Sequence, residues 1–172
     1  MPLPFKQQPV LPNNRPMALL RLEHLKRKFV RDKHLHTQYT EFMTEMIGRR
    51  DAELVTSDGQ QGNVWYIPHH GIYHPRKPDK LRVVFDCSAR YQATSLNEHL
   101  LTGPDLTNGL AGVLCRFRQH HIAIMCDIEK MFLQFAVRNS DRDFKRFLWY
   151  KDGDYDSQPL EYRMRVHLFG AA

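Results

Sequence analysis

The chain has 172 residues, of which 42% are hydrophobic and 26% are charged, a balance typical of globular proteins that excludes collagen-like, low-complexity and disordered chains. Its longest apolar runs are about five residues, far short of the roughly 20 that span a membrane, and no secretory leader pattern opens the sequence. Three cysteines without a Cys-x-x-Cys spacing favour a reducing compartment. We therefore expect an intracellular, cytoplasmic protein that is neither secreted nor membrane-bound.

Basic residues are concentrated near the beginning of the chain. The 25 basic and 19 acidic residues give a net charge of +6. Between Lys6 and Lys33, eight basic residues face two acidic ones, so this stretch alone carries a charge of +6. A second basic stretch occupies residues 76–82. Such patches suit a polyanionic partner, although for the first patch taken alone a solvated helix face is the better explanation.

Two amphipathic helices are predicted after a proline-rich lead-in at residues 1–16. The first begins near Arg15 and is capped by Asn13 or Asn14. The second covers residues 35–48. The apolar positions that recur at helical spacing are Ala18, Leu22, Leu25 and Phe29 in the first helix, and Leu35, Tyr39, Phe42, Met43, Met46 and Ile47 in the second.

The apolar period then changes to two, which predicts short strands at residues 52–55, 64–67 and 81–86. In the last of these, Arg82 and Asp86 share one face, roughly 13 Å apart. Ser95 and Glu98 fit a helix-capping box.

A third helix is predicted over residues 106–117. The apolar run at 122–127 then has the pattern of a central strand buried on both faces. Residues 144–150 and 160–166 flank Asp152-Gly153 as a β-hairpin. Helices that segregate from antiparallel hairpins indicate an α+β fold.

Asp127 is the most informative single residue. A carboxylate at the end of a buried strand is costly unless it reaches solvent or binds a cation. Taken alone, Asp127 either caps the turn that follows it or belongs to a metal site.

The residues after Asp127 change this balance. The segment Asp-Ile-Glu-Lys-Met-Phe-Leu-Gln-Phe at 127–135 resembles motif A of reverse transcriptases, and further blocks in the same order resemble the BEL/Pao group of LTR retrotransposons. These blocks are Pro-Asn-Asn-Arg at 12–15, Trp-Tyr-Ile-Pro-His-His at 65–70, Lys-Leu-Arg-Val-Val-Phe-Asp-Cys-Ser-Ala at 80–89, residues 95–106, Arg-Asp at 142–143, Phe-Leu-Trp at 147–149, and Leu-Phe-Gly-Ala at 168–171.

The resemblance implies a right-hand polymerase fold, with the fingers and the first part of the palm. Residues 1–50 form the lead-in and helical hairpin, residues 51–120 a fingers-like region, and residues 121–172 a partial palm with motif A and the start of motif B.

The resemblance also assigns roles to individual residues. Asp127 is implied as a catalytic ligand of two Mg²⁺ ions, with the backbone carbonyl of Ile128 as a further ligand. Phe132 takes the position of the steric gate against ribonucleotides. Three further residues are implied in nucleotide binding. Arg82 contacts the triphosphate, and Asp86 orients Arg82 or the template strand. Gly170 is the glycine of motif B. Implied nucleic-acid contacts are Arg76, Lys77 and Lys80, one of which is the second cation of the fingers.

One motif of the family does not occur in the 172 residues. They contain no Tyr-x-Asp-Asp and no Asp-Asp pair, so we expect this chain by itself to be inactive as a polymerase. The partners implied by the resemblance are a template–primer, dNTPs and the remainder of a Pol polyprotein. The alternative interpretation is a non-catalytic nucleic-acid-binding remnant of such a polyprotein.

Overall fold

The computed structural model describes residues 1–57, 59–60, 62–103 and 109–171, with the backbone alone at Lys77. Along these residues the helices and strands follow the order α1 (Arg15–Arg31), α2 (Lys33–Gly48), β1 (Ala52–Leu54), β2 (His69–His74), β3 (Lys77–Phe85), α3 (Leu96–His99), α4 (Leu110–Phe117), β4 (Arg146–Tyr150) and β5 (Pro159–Met164), with short 3₁₀ helices at Met131–Gln134, Asn139–Lys145 and Lys151–Gly153. The mixture of helices and small antiparallel sheets confirms the α+β class.

The two predicted N-terminal helices are confirmed. The apolar stripe of α1 is buried as predicted, and Tyr39, Met43 and Met46 bury the inner face of α2. Asp32 separates the helices and caps α2, because its Oδ1 accepts a hydrogen bond from the Leu35 N–H at 2.9 Å. The helices therefore form a hairpin whose apolar faces turn the same way, toward the sheet.

A three-stranded antiparallel sheet has the order β1-β5-β4. The predicted C-terminal hairpin is confirmed as β4 and β5, which pair Phe147 with Tyr162. All five residues of β4 are buried, and its Trp149 stacks on Tyr39 of α2 with ring centroids 5.3 Å apart. This aromatic contact joins the helical hairpin to the sheet.

The predicted strand at 81–86 forms part of the longer β3, which pairs antiparallel with β2. The sequence pattern did not reveal β2, since His69–His74 contains three histidines and a glycine in place of an apolar alternation. The strand predicted at 64–67 is reduced to a single bridge between Tyr66 and Arg146. Residues 65–67 are nevertheless buried, so this stretch packs as predicted while making few ladder bonds.

The first residues of the chain make hydrogen bonds with residues that are far away in the sequence. The Leu3 N–H donates to Asp141 at 2.9 Å, and the Leu101 N–H donates to the Pro4 carbonyl at 2.7 Å. Strand β1 pairs with β5. The three regions expected at 1–50, 51–120 and 121–172 are therefore in contact through backbone hydrogen bonds.

Residues 109–135 are exposed except for the half-buried Leu133, and we call them the outer segment. The third predicted helix is present as α4, at Leu110–Phe117, whereas its expected beginning at 106 lies outside the described residues. Among the described helices, none combines the length and the apolar character that crossing a membrane requires.

The prediction of a buried strand at residues 122–127 is wrong. In the structure these residues are irregular, and Ile122, Ile124 and Met125 are more than four-fifths exposed, at 82%, 86% and 88%. A central strand needs a neighbour on each side to take its backbone hydrogen bonds. Within the described part of the chain, neither sheet extends to residues 122–127.

Candidate functional site

Three blocks that are far apart in the sequence line one cavity of about 330 Å³. They are Val83–Phe85 of β3, residues 130–133 around the first 3₁₀ helix, and Leu168 with Phe169. Phe132 and Phe169 meet edge to face with centroids 5.3 Å apart. The cavity therefore brings together three segments on which the resemblance to a polymerase depends, and α2 with its C-cap and β5 complete it with Phe42, Met46, Arg49 and Met164.

Phe132 is 38% exposed at this junction. Its position follows from Lys130, which adopts a left-handed backbone conformation with φ of 51° and turns the chain into the 3₁₀ helix. The Lys130 Nζ lies 3.3 Å from the Glu45 carboxylate of α2. This ion pair ties the outer segment to the helical hairpin beside the cavity.

Asp127 and Ile128 lie on the exposed stretch that precedes Lys130. The Asp127 carboxylate makes no hydrogen bond or ion pair with the described residues, and it does not cap the turn after it, whose N-cap is Lys130. It is thus open to a ligand. No group of three potential metal ligands occurs among the described residues. Mg²⁺ in proteins commonly keeps several waters and is held by one or two carboxylates together with substrate phosphates.

The hairpin of β2 and β3 presents the other sequence-predicted cations. Arg82 is exposed on β3 opposite Ile72, and Arg76 and Lys80 are exposed near the hairpin end. None of the three makes an ion pair with the described residues. Lys77 begins β3, and the structure describes only its backbone. These charges are available to an anionic partner.

Asp86 follows the last residue of β3. Its N–H donates to the Pro68 carbonyl at 2.8 Å, and its Oδ1 accepts from the Ser88 hydroxyl at 2.6 Å. The carboxylate is therefore held in place by its own turn.

Gly170 has φ of +87°, a conformation that disfavours side chains. The Asn97 amide donates to the Gly170 carbonyl at 2.9 Å, which joins two of the blocks on which the resemblance depends. Among the described residues, a Cβ at Gly170 would meet nothing within 4 Å. The close approach expected at Gly170 has no counterpart within the protein, so the glycine is explained here by its backbone angle.

Sequence reasoning missed the polar contacts that hold the scaffold under the site. Asn14 occupies the N-cap position of α1 as predicted, but its side chain makes no capping hydrogen bond. The buried side chain pairs with the backbone of Tyr66, accepting from its N–H at 2.8 Å and donating to its carbonyl at 2.7 Å. The quoted blocks at 12–15 and 65–70 contain both partners. Only the structure shows that they pair.

Glu161 of β5 is the centre of a second missed network. Its carboxylate accepts from Arg15 at 2.7 Å, from the Tyr66 hydroxyl at 2.7 Å and from Arg146 at 3.1 Å. Burial by itself would raise the pKa of Glu161, but the hydrogen bonds from Arg15 and Tyr66 and the nearby positive charges hold this pKa below its ordinary value. The network joins α1, β4 and β5 as one unit.

His69 is a third buried anchor. The Tyr39 hydroxyl lies 2.6 Å from its Nδ1, and its Nε2 lies 2.9 Å from the Leu148 carbonyl. Because a carbonyl only accepts, Nε2 carries the proton and Nδ1 accepts from Tyr39. Burial lowers the pKa of His69 to about 4, so the ring is neutral at pH 7.

Neither protein-family models nor curated proteins match this chain.

Proposed function

We propose that this chain is part of a retrotransposon RNA-directed DNA polymerase of BEL/Pao type, with the fingers and the first part of the palm of a right-hand fold. The complete enzyme adds dNTPs to a primer on an RNA or DNA template. One observation supports this most: the fingers-like strand, motif A and motif B, far apart in the chain, line a single cavity. A chance match to separate motifs would not require their side chains to meet.

Each residue then has a role that follows from its chemistry. The free guanidinium of Arg82 binds phosphate oxygens of the incoming nucleotide, since its planar fork suits them. Phe132, at the cavity wall beside Phe169, excludes a ribose 2′-hydroxyl by its bulk. The left-handed backbone conformation of Gly170 sets the direction of the chain that follows Phe169.

The proposed cofactor is Mg²⁺, held by Asp127 and the Ile128 carbonyl together with a second pair of carboxylates that the 172 residues do not contain. When bound, the metal ions would activate the primer hydroxyl and neutralise the triphosphate. For this reason the chain alone is proposed to be inactive.

Primer extension by the polyprotein that carries this chain tests the proposal. Asp127→Asn should reduce incorporation by about 1,000-fold or more, because it removes a charge that acts on the reacting centre, and should leave template–primer affinity unchanged. Glu129→Gln is the matched control, since Glu129 is an exposed carboxylate two residues away. Equal synthesis by both variants would overturn the proposal.

A separate measurement tests the assignment of Phe132 as the steric gate against ribonucleotides. Phe132→Ala should admit ribonucleotides, measured as the ratio of dNTP to NTP incorporation, whereas Phe135→Ala, an exposed aromatic in the same segment, should keep the ratio. Unchanged sugar selection in the Phe132 variant would remove this assignment.

A second candidate is a non-catalytic nucleic-acid-binding module, favoured by the lack of Tyr-x-Asp-Asp in these residues. The genomic sequence that continues this reading frame separates the two. An in-frame Tyr-x-Asp-Asp supports the polymerase, and a stop codon directly after Ala172 supports the binding module.

A further inference from the structure

A second cavity, of about 540 Å³, lies between α1 and the β2–β3 hairpin. One wall is formed by Arg21, His24 and Lys28, which lie on successive turns of α1. His70 of β2 and Asp86 form the opposite wall. This cavity shares no lining residue with the first cavity, which contains Phe132 and Phe169.

The basic groups of this cavity are free. Arg21, His24, Lys28 and His70 are exposed and make no ion pair with the described residues. Two other cations of α1 behave differently, since Arg15 pairs with Glu161 at 2.7 Å and Lys26 lies 3.4 Å from Asp156. Arg27 and Arg31, outside the cavity, are also without an ion pair among the described residues, so what distinguishes Arg21 and Lys28 is the cavity that they line.

The floor of the cavity is rigid. Leu25 of α1 is buried in the core, and the buried His69 is fixed by its hydrogen bonds to Tyr39 and Leu148. Asp86 is held by Ser88 through Oδ1, while its Oδ2 makes no hydrogen bond with the described residues. The floor and the Asp86 carboxylate are thus positioned before any ligand arrives.

We propose that this cavity binds a nucleotide unit of a single-stranded nucleic acid, with Arg21 and Lys28 on the phosphate and Asp86 accepting from a sugar hydroxyl or a base N–H. Arginine and lysine are the residues that proteins use for phosphate, and one carboxylate opposite them matches the donors of a nucleoside. The choice of a strand rests on the proposed function, whereas the phosphate chemistry does not.

Fluorescence anisotropy with a labelled single strand of about 12 thymidines, a length within reach of one small binding surface, tests the proposal on the 172-residue chain. The double variant Arg21→Gln, Lys28→Gln should weaken binding by about tenfold and reduce the salt slope by about 1.4, because each phosphate contact on a single strand contributes about 0.7. The matched control is Arg27→Gln with Arg31→Gln, which removes the same charge from the same helix outside the cavity.

Competition identifies the source of the phosphate. We expect unlabelled strand to displace the probe, with dTTP and inorganic phosphate much weaker. The proposal that the ligand is a strand would be overturned if dTTP displaced the probe from the wild type as effectively as the unlabelled strand does, but not from the double variant. The cavity would then be assigned to a free nucleotide. Equal affinity losses in the double variant and its control would overturn the site. Thermal melts by circular dichroism confirm that each variant is folded.

The same assay separates this proposal from the proposed function. Arg82→Ala lies outside the cavity, so the cavity proposal predicts that the effect of the double variant persists in the Arg82→Ala background. If Asp127→Asn leaves primer extension intact while the double variant still loses strand binding, the polymerase proposal fails and the cavity stands.

Discussion

The sheet core, which we define as α1, α2 and the strands β1, β5 and β4, differs sharply from the outer segment. In the sheet core, Phe29, Tyr39 and Trp149 are at most 2% exposed and in mutual ring contact. In the outer segment, Ile122, Ile124 and Met125 have no such contacts and face solvent. Both regions are rich in apolar residues. The difference shows that an apolar run becomes a buried strand only where neighbouring elements cover it.

The two regions make different contributions to the candidate site. The sheet core lines the candidate cavity directly, through Phe42 and Met46 of α2 and Met164 of β5. The outer segment carries Asp127 and Phe132 and is attached through Lys130 and the contact of Phe132 with Phe169. The site therefore forms where a rigid region meets a loosely packed one.

The largest expected difference between the two regions is in thiol reactivity. Cys87 is buried beneath β3, whereas Cys115 and Cys126 of the outer segment are exposed; burial also raises the pKa of Cys87 to about 12. With an aromatic disulfide reagent at pH 8, we expect two thiols to react at once and the third at least about 1,000-fold more slowly, because it reacts only on unfolding. Three equally fast thiols would contradict the contrast.

Large-to-small substitutions give the next largest effect. Trp149→Ala should lower the free energy of unfolding by about 3–5 kcal/mol, because it empties the centre of the sheet core. Ile124→Ala should change it by less than about 0.5 kcal/mol, since the side chain is already in water. Urea denaturation measures both. A cost of 2 kcal/mol or more at Ile124, as in a buried strand, would show that residues 122–127 are covered after all.

The pH dependence of stability sharpens the description of the sheet core. The pKa of His69 is lowered from 6.5 to about 4 in the folded state, so the unfolded chain takes up this proton first as the pH falls. Stability from this group is complete above pH 6.5 and is lost progressively down to about pH 4, by about 3 kcal/mol in total.

The variant His69→Gln isolates this effect. Glutamine can accept from Tyr39 and donate to Leu148 without titrating, so the variant should lose less stability than the wild type between pH 7 and pH 4. His70→Gln is the control, because His70 is exposed. A wild-type curve that parallels the His69→Gln curve would show that the ring is not held neutral.

Much of the fold could be predicted because local periodicity and tertiary packing agree in the sheet core. The stripe of α1 and the hairpin of β4 and β5 each have one apolar face and a real partner. Strand β2 could not be predicted, since His69 is buried through two hydrogen bonds rather than through hydrophobicity. The partner of the Asn14 side chain could not be predicted, because only the fold brings Tyr66 within its reach.

The candidate site could be predicted in its parts and not in its assembly. The motif resemblance pointed to Arg82, Asp127, Phe132 and Gly170 one by one. That β3, Phe132 and Phe169 enclose one cavity depends on long-range packing that no spacing in the sequence encodes. The second cavity was missed for the same reason, since Lys28 and Asp86 are far apart in the chain.

Photoaffinity labelling with 8-azido-dATP in the presence of a template–primer tests the proposed polymerase function most directly, because it asks whether the cavity lined by β3, Phe132 and Phe169 holds a deoxynucleotide. We expect adducts within residues 130–133 or at Leu168 and Phe169, suppressed by excess dATP and much less by ATP. Labelling that is confined to other surfaces, or that dATP and ATP suppress equally, would contradict it.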